Sequence, residues 1–127
     1  MNNKFTILLI EPDAFLSDIY EKNLAMNGFK VISSKTGEKG LSLAQTKEPD
    51  LILLEVSLNR ENGFEVLARM KAHKTVKKIP VIIITKLGQK KDVEKGLGLG
   101  ALDYIIKIHF SPSELVDKVK KVLGEKK

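Results

Sequence analysis

A chain of 127 residues without a single cysteine has room for one domain and one core. It excludes a disulfide framework, thiol catalysis and any zinc site built on thiolates. The net charge of +6 comes from 22 Lys+Arg against 16 Asp+Glu. Arg60 and Arg69 are the only arginines, and the basic stretch from Arg69 to Lys78 holds no aromatic residue. The charge therefore reads as a lysine-rich solvated surface, with no specific nucleic-acid partner expected.

Taken in chain order, short apolar runs alternate with helix-length amphipathic stretches. The segment Phe5 to Ile10 predicts a first strand. Its core Ile7-Leu8-Leu9-Ile10 is far too short for a signal-peptide core or a membrane span, so no membrane association is expected. Asp13 can cap a helix that runs to about Asn27, where Gly28 is placed to stop it. A second strand covers Phe29 to Ser33, and a second helix Gly37 to Lys47, ended by Pro49. Leu51 to Glu55 predicts the third strand and Gly63 to His73 the third helix. Pro80 to Thr85 predicts the fourth strand. The fourth helix, Lys90 to Leu97, has a weak end crowded by Gly96, Gly98 and Gly100. Leu102 to Ile106 predicts a fifth strand. The last helix has the clearest start: Ser111-Pro112-Ser113-Glu114 is an N-cap, a proline at the first helical position and a capping-box glutamate. Leu115, Val116, Val119, Val122 and Leu123 then form one apolar stripe.

Three of the strand runs lack polar alternation, as central strands of a parallel sheet do when helices cover both faces. Five strand–helix units in series, joined by right-handed crossovers, predict a three-layer α/β sandwich. Residues 1–127 are expected to form a single domain with no output domain in the chain. The absence of cysteine and of a targeting segment fits a cytoplasmic protein.

In such a sheet the binding crevice lies beyond the C-terminal strand ends. The polar residues delivered there are Glu11-Pro12-Asp13, Glu55 with Ser57 after it, Thr85 with Lys86, and Lys107. A lysine ending the apolar run Ile105-Ile106 needs a carboxylate partner. Asp13 has a simpler role as a helix cap, and Thr85 and Tyr104 as ordinary strand formers. His73 and His109, far apart in sequence, are read as solvent-facing loop residues and not as a metal pair. No glycine-rich loop follows the first strand and no nucleophile–histidine pair is visible. That weighs against a small nucleotide-binding or enzymatic α/β protein, the alternative from another class, and an enzyme is not expected.

The segments Ile7 to Asp13, Pro49 to Glu55, Asn62 to Leu67, Ile79 to Thr85, Gly100 to Tyr104 and the single Lys107 occur in one order and spacing. In this the chain resembles the receiver domain of two-component response regulators over essentially its whole length. The resemblance implies a flavodoxin-like sheet in the order 2-1-3-4-5 with five helices. It also implies Mg²⁺-dependent phosphoryl transfer from a histidine kinase or phosphotransfer protein to an acid ending the third strand. Carried over residue by residue, Glu55 takes the phosphoacceptor position, Glu11 the first acid of the metal pair and Pro12 the second. Ser57 takes the place that offers a backbone carbonyl to the metal, Thr85 the switch hydroxyl, Lys107 the pairing lysine and Tyr104 the aromatic switch. The metal set is then Glu11, Glu55 and Ser57, with Asp13 as a further acid of the pocket.

Two positions depart from the pattern. Glu55 is longer than aspartate by one methylene, about 1.5 Å, and Pro12 has no side-chain oxygen. A misplaced nucleophile can cost about 100-fold, so Mg²⁺ binding is expected to be weak or absent and Glu55 to act as a fixed phosphate mimic. The alternative within the same family is a receiver that still accepts phosphate poorly. A third departure is the segment Ile108-His109-Phe110 between Lys107 and Ser111-Pro112, one residue longer than many receivers carry. The expected function is a stand-alone receiver-like signalling module, monomeric or weakly dimeric. Its partners would be a histidine kinase, a phosphotransfer protein or an effector, met through the fourth helix, fifth strand and fifth helix.

Overall fold

The computed structural model describes Phe5 to Gly124. Met1 to Lys4 and Glu125 to Lys127, with the two ends of the domain predicted over 1–127, lie outside the described residues. The strands are β1 (Thr6–Ile10), β2 (Lys30–Ser34), β3 (Leu51–Leu54), β4 (Val81–Thr85) and β5 (Asp103–Ile106). The helices are α1 (Ala14–Met26), α2 (Gly37–Lys47), α3 (Gly63–Ala72), α4 (Lys90–Gly98) and α5 (Pro112–Val122). Short 3₁₀ turns cover Val76–Lys78 and Lys107–His109. The sheet is parallel in every pairing and runs β2-β1-β3-β4-β5, the flavodoxin-like order predicted.

Alternate residues of the three central strands enter two separate cores because strand side chains alternate between faces. Leu8, Ile10, Ile52, Leu54, Val81 and Ile83 pack with Leu67 and Met70 of α3 on one face. Ile7, Leu9, Leu51, Leu53, Ile82 and Ile84 pack with Tyr20 and Leu24 of α1 and Leu115, Val116 and Val119 of α5 on the other. No helix among the described residues is long and apolar enough to cross a membrane.

Helix starts follow the capping chemistry read in the sequence. Asp13 Oδ1 accepts from the N–H groups of Phe15 and Leu16. Ser111 and Glu114 close a reciprocal capping box at 2.8 and 3.2 Å. Two details differ from expectation. The residue that turns the chain out of α2 is Glu48, in the left-handed region at φ +46°, one position before Pro49. His73 is half-buried, and its Nδ1 accepts from Thr75 and Val76 N–H at 3.2 Å each, so it caps the following turn. His109 is exposed, as expected.

The glycines at the end of α4 also have a packing reason. A Cβ on Gly96 would lie 2.6 Å from Ile83 Cδ1 and 3.0 Å from Tyr104 Cδ2, so glycine lets α4 lie close against β4 and β5. Gly100, at φ +111°, then turns the chain into β5.

Candidate functional site

The parallel register brings the C-terminal ends of β1, β3, β4 and β5 to one edge of the sheet. Ile10 pairs with Leu54, so Glu11 and Glu55 leave adjacent strands side by side. The Glu55 N–H still bonds to the Ile10 carbonyl at 3.0 Å, and the Glu11 N–H to the Ser34 carbonyl at 3.0 Å. Both carboxylates are therefore set by strand backbone and are buried.

Lys107, on the turn after β5, reaches across to both. Its Nζ lies 2.6 Å from Glu55 Oε1 and 2.8 Å from Glu11 Oε1. The lysine side chain is 14% exposed, which leaves the charges screened by little water. The remaining oxygens are also engaged. Glu55 Oε2 accepts from Ser57 N–H at 2.8 Å and Glu11 Oε2 from Asp13 N–H at 3.1 Å. Each of the four carboxylate oxygens thus has a donor from the chain itself.

Burial pulls the Lys107 pKa down, but the hydrogen bonds it donates to Glu11 and Glu55, and then their charges, outweigh it and hold the ammonium above its ordinary value. Tyr20, buried on α1, lies within electrostatic reach of this cluster. Burial pushes its phenol up, Lys107 draws it back, and Glu11, Glu55 and Asp13 add to the rise.

A second connected group lies on β4 and β5. Thr85 is fully buried, and its Oγ1 accepts from Leu87 N–H at 3.3 Å. The Tyr104 hydroxyl donates to the Leu87 carbonyl at 2.7 Å. Leu87 is thus held at both of its backbone groups, by the two residues read as switch elements. The Tyr104 phenol is pushed up to about 12, first by burial and then by the Asp92 and Glu55 charges.

Residues 7–120 match the family model for the response regulator receiver domain. The chain belongs to that family. It is 38% identical over 117 residues to the DNA-binding dual master transcriptional regulator RpaA of Synechocystis sp., covering 92% of this chain and 48% of that protein. It is 36% identical over 123 residues to the alkaline phosphatase synthesis transcriptional regulatory protein PhoP of Bacillus subtilis, covering 97% and 49%. The chain spans about half the length of these curated relatives. Among solved structures it is similar to a CheY-like receiver domain protein from Methanospirillum hungatei JF-1 (28% identity, TM-score 0.86, 97% and 96% covered). It is also similar to the Mn²⁺-bound form of response regulator Rcp1 (25% identity, TM-score 0.82, 95% of each chain covered).

Against the receiver pattern, the structure brings Glu11, Glu55 and Lys107 together and places Ser57 beside Glu55 through its N–H. Asp13 is exposed and spends Oδ1 on the α1 cap. Thr85 bonds to Leu87 and not to Glu55. Receivers as a family hold Mg²⁺ on carboxylates at this edge. Here two carboxylates converge, Lys107 lies on both, and Pro12 stands where a third oxygen donor would come from. This donor set is poor for an ion that demands near-octahedral oxygen coordination.

Sequence reasoning missed Leu87, whose part is played by backbone atoms alone. It also missed Glu61. That carboxylate takes the N–H groups of Gly37 and Glu38 at 2.7 Å each and ties the β3–α3 loop to the start of α2. An acid on a surface loop gives no sign of a partner 24 residues away.

Proposed function

We propose that this receiver signals in a two-component or phosphorelay system without being phosphorylated, with Glu55 at the phosphoacceptor position standing in for the phosphorylated residue. The observation that carries the reading is the Lys107 Nζ to Glu55 Oε1 bond of 2.6 Å. The lysine that would meet a phosphoryl group already holds a permanent carboxylate. Mg²⁺ would have to share these carboxylates with the Lys107 ammonium, whose charge opposes it, so its binding is weak.

The output is a protein surface. Tyr104 and Gly96 pack β5 against α4, and Leu97 and Leu102 are exposed on the α4–β5 side. Lys90 and Lys91 add positive charge at its edge. Lys95 contributes less than its sequence position suggests, since its ammonium sits 4.9 Å above the Phe64 ring of α3. An apolar centre with a basic rim suits a kinase, phosphotransfer or effector protein that offers an acidic border.

The test is labelling with acetyl phosphate and Mg²⁺, read by intact mass. The expected result is no phosphorylated species. Stable, Mg²⁺-dependent incorporation of one phosphoryl group would overturn the reading and favour a receiver that retains its chemistry.

A further inference from the structure

The acid–lysine cluster does not account for every polar group at this edge. Beside it, beyond the end of the edge strand β2, a cavity of about 300 Å³ lies between α1 and the start of α2. It is lined by Ser17, Ser33, Ser34, Lys35, Thr36 and Lys39, four hydroxyls and two ammonium groups with no carboxylate among them. Ser17 is 9% exposed, and its hydroxyl bonds to no described residue. Lys35 and Lys39 have no ion-pair partner among the described residues. Ser34 is already engaged, its Oγ donating to the Thr36 carbonyl at 2.8 Å.

From this we propose that the cavity binds the phosphate group of a small phosphate monoester, at a site separate from Glu55. The Ser17 hydroxyl opens into the cavity and is free of bonds within the described residues, so it can donate to a ligand oxygen. Two unpaired lysines supply positive charge as mobile points, and hydroxyl donors complete the set that phosphate oxygens accept from. The volume is at the low end for ligand pockets, which suits a small molecule. The N-terminus of α2 does not make this site, since its first N–H groups are taken by Glu61 on the other side. Glu11 lies nearby, but its carboxylate turns to Lys107. The proposal is independent of the role given to Glu55.

The experiment is an amide NMR titration of the whole chain with inorganic phosphate and with glycerol phosphate, at constant ionic strength. Saturable shifts are expected at Ser17, Ser33, Lys35 and Lys39, without matching changes at Glu55 and Lys107. Ser17→Ala should weaken binding about tenfold or more, the loss of one hydrogen bond to a charged group. Lys39→Gln should act likewise, and the distant double change Lys90→Gln with Lys91→Gln should leave affinity unchanged. Tighter binding of the ester identifies an esterified ligand, whereas equal binding identifies free phosphate. Shifts that do not saturate, shifts spread over all lysines, or Ser17→Ala with unchanged affinity would overturn the proposal.

Discussion

Glu55→Gln keeps the shape of the side chain and removes its charge, and the triad geometry says what that should cost. At an effective dielectric of about 20, opposite charges about 3 Å apart attract by about 5–6 kcal/mol and like charges about 5 Å apart repel by about 3 kcal/mol. Lys107 touches both carboxylates, so the wild-type cluster has two attractions and one repulsion. Glu55→Gln removes one attraction and the repulsion together, and the net loss should be about 2–3 kcal/mol. Lys107→Met removes both attractions and leaves two buried carboxylates facing each other, which should cost about 3–5 kcal/mol. For a domain of this size those losses lower Tm by about 10 °C and up to about 20 °C respectively. Urea unfolding at neutral pH and two salt concentrations reads the order, and salt should change it little because the charges are buried. Neutral pH is inside the useful window. The Lys107 pKa is raised in the folded state, so its contribution is complete below 10.5 and fades only as pH climbs through the higher folded value. Finding Glu55→Gln as stable as wild type, or less tolerable than Lys107→Met, would refute this account of the cluster. The same variant tests coupling: its amide shifts should extend to Thr85 through Lys95 and to Tyr104, which feels the Glu55 charge. Shifts confined to residues touching Glu55 would leave the domain a receiver fold without a working switch.

Restoring Pro12→Asp together with Glu55→Asp should raise Mg²⁺ affinity and permit acetyl-phosphate labelling, measured by calorimetry and intact mass. The unchanged chain should show neither. In Tyr20→Phe, Tyr104 becomes the sole tyrosine, and its phenolate absorbance should appear at about pH 12 and not near 10. That shift also means folding loses stability as pH rises from 10 towards 12, because the unfolded chain ionises first. Gly63→Ala should cost about 3 kcal/mol or more, since its Cβ would lie 2.2 Å from Val56 Cα and backbone must move. Because Val56 follows Glu55, the same change should weaken the Lys107 contact, visible as altered shifts at Lys107.

Much of this structure could be read from residue order because its causes are local. The runs Ile7 to Ile10 and Val81 to Ile84 are apolar without alternation, as strands covered on both faces are. The Ser111 to Glu114 cap and the Gly28 turn are set by neighbouring atoms. The sheet order came from the family resemblance, and it in turn placed Lys107 opposite Glu55. What stayed hidden depends on partners that are distant or lack a side-chain signature. Leu87 acts through its own N–H and carbonyl. Glu61 meets backbone amides of another helix. The Ser17 cavity forms only when α1 and the β2–α2 turn close around it.

The chain length of residue 55 explains why the cluster is self-contained. From the end of β3, the glutamate reaches Lys107 with one oxygen and the Ser57 N–H with the other. An aspartate would be shorter by about 1.5 Å and would set its carboxylate back toward β3. In the proposed reading the extra methylene carries the carboxylate to Lys107, and Pro12 offers no side-chain oxygen to share an ion. Each of the two carboxylates has one bond from Lys107 and one from a backbone N–H. A restored receiver site needs both an oxygen donor at position 12 and a shorter acid at position 55, which is why the restoring substitutions are made together.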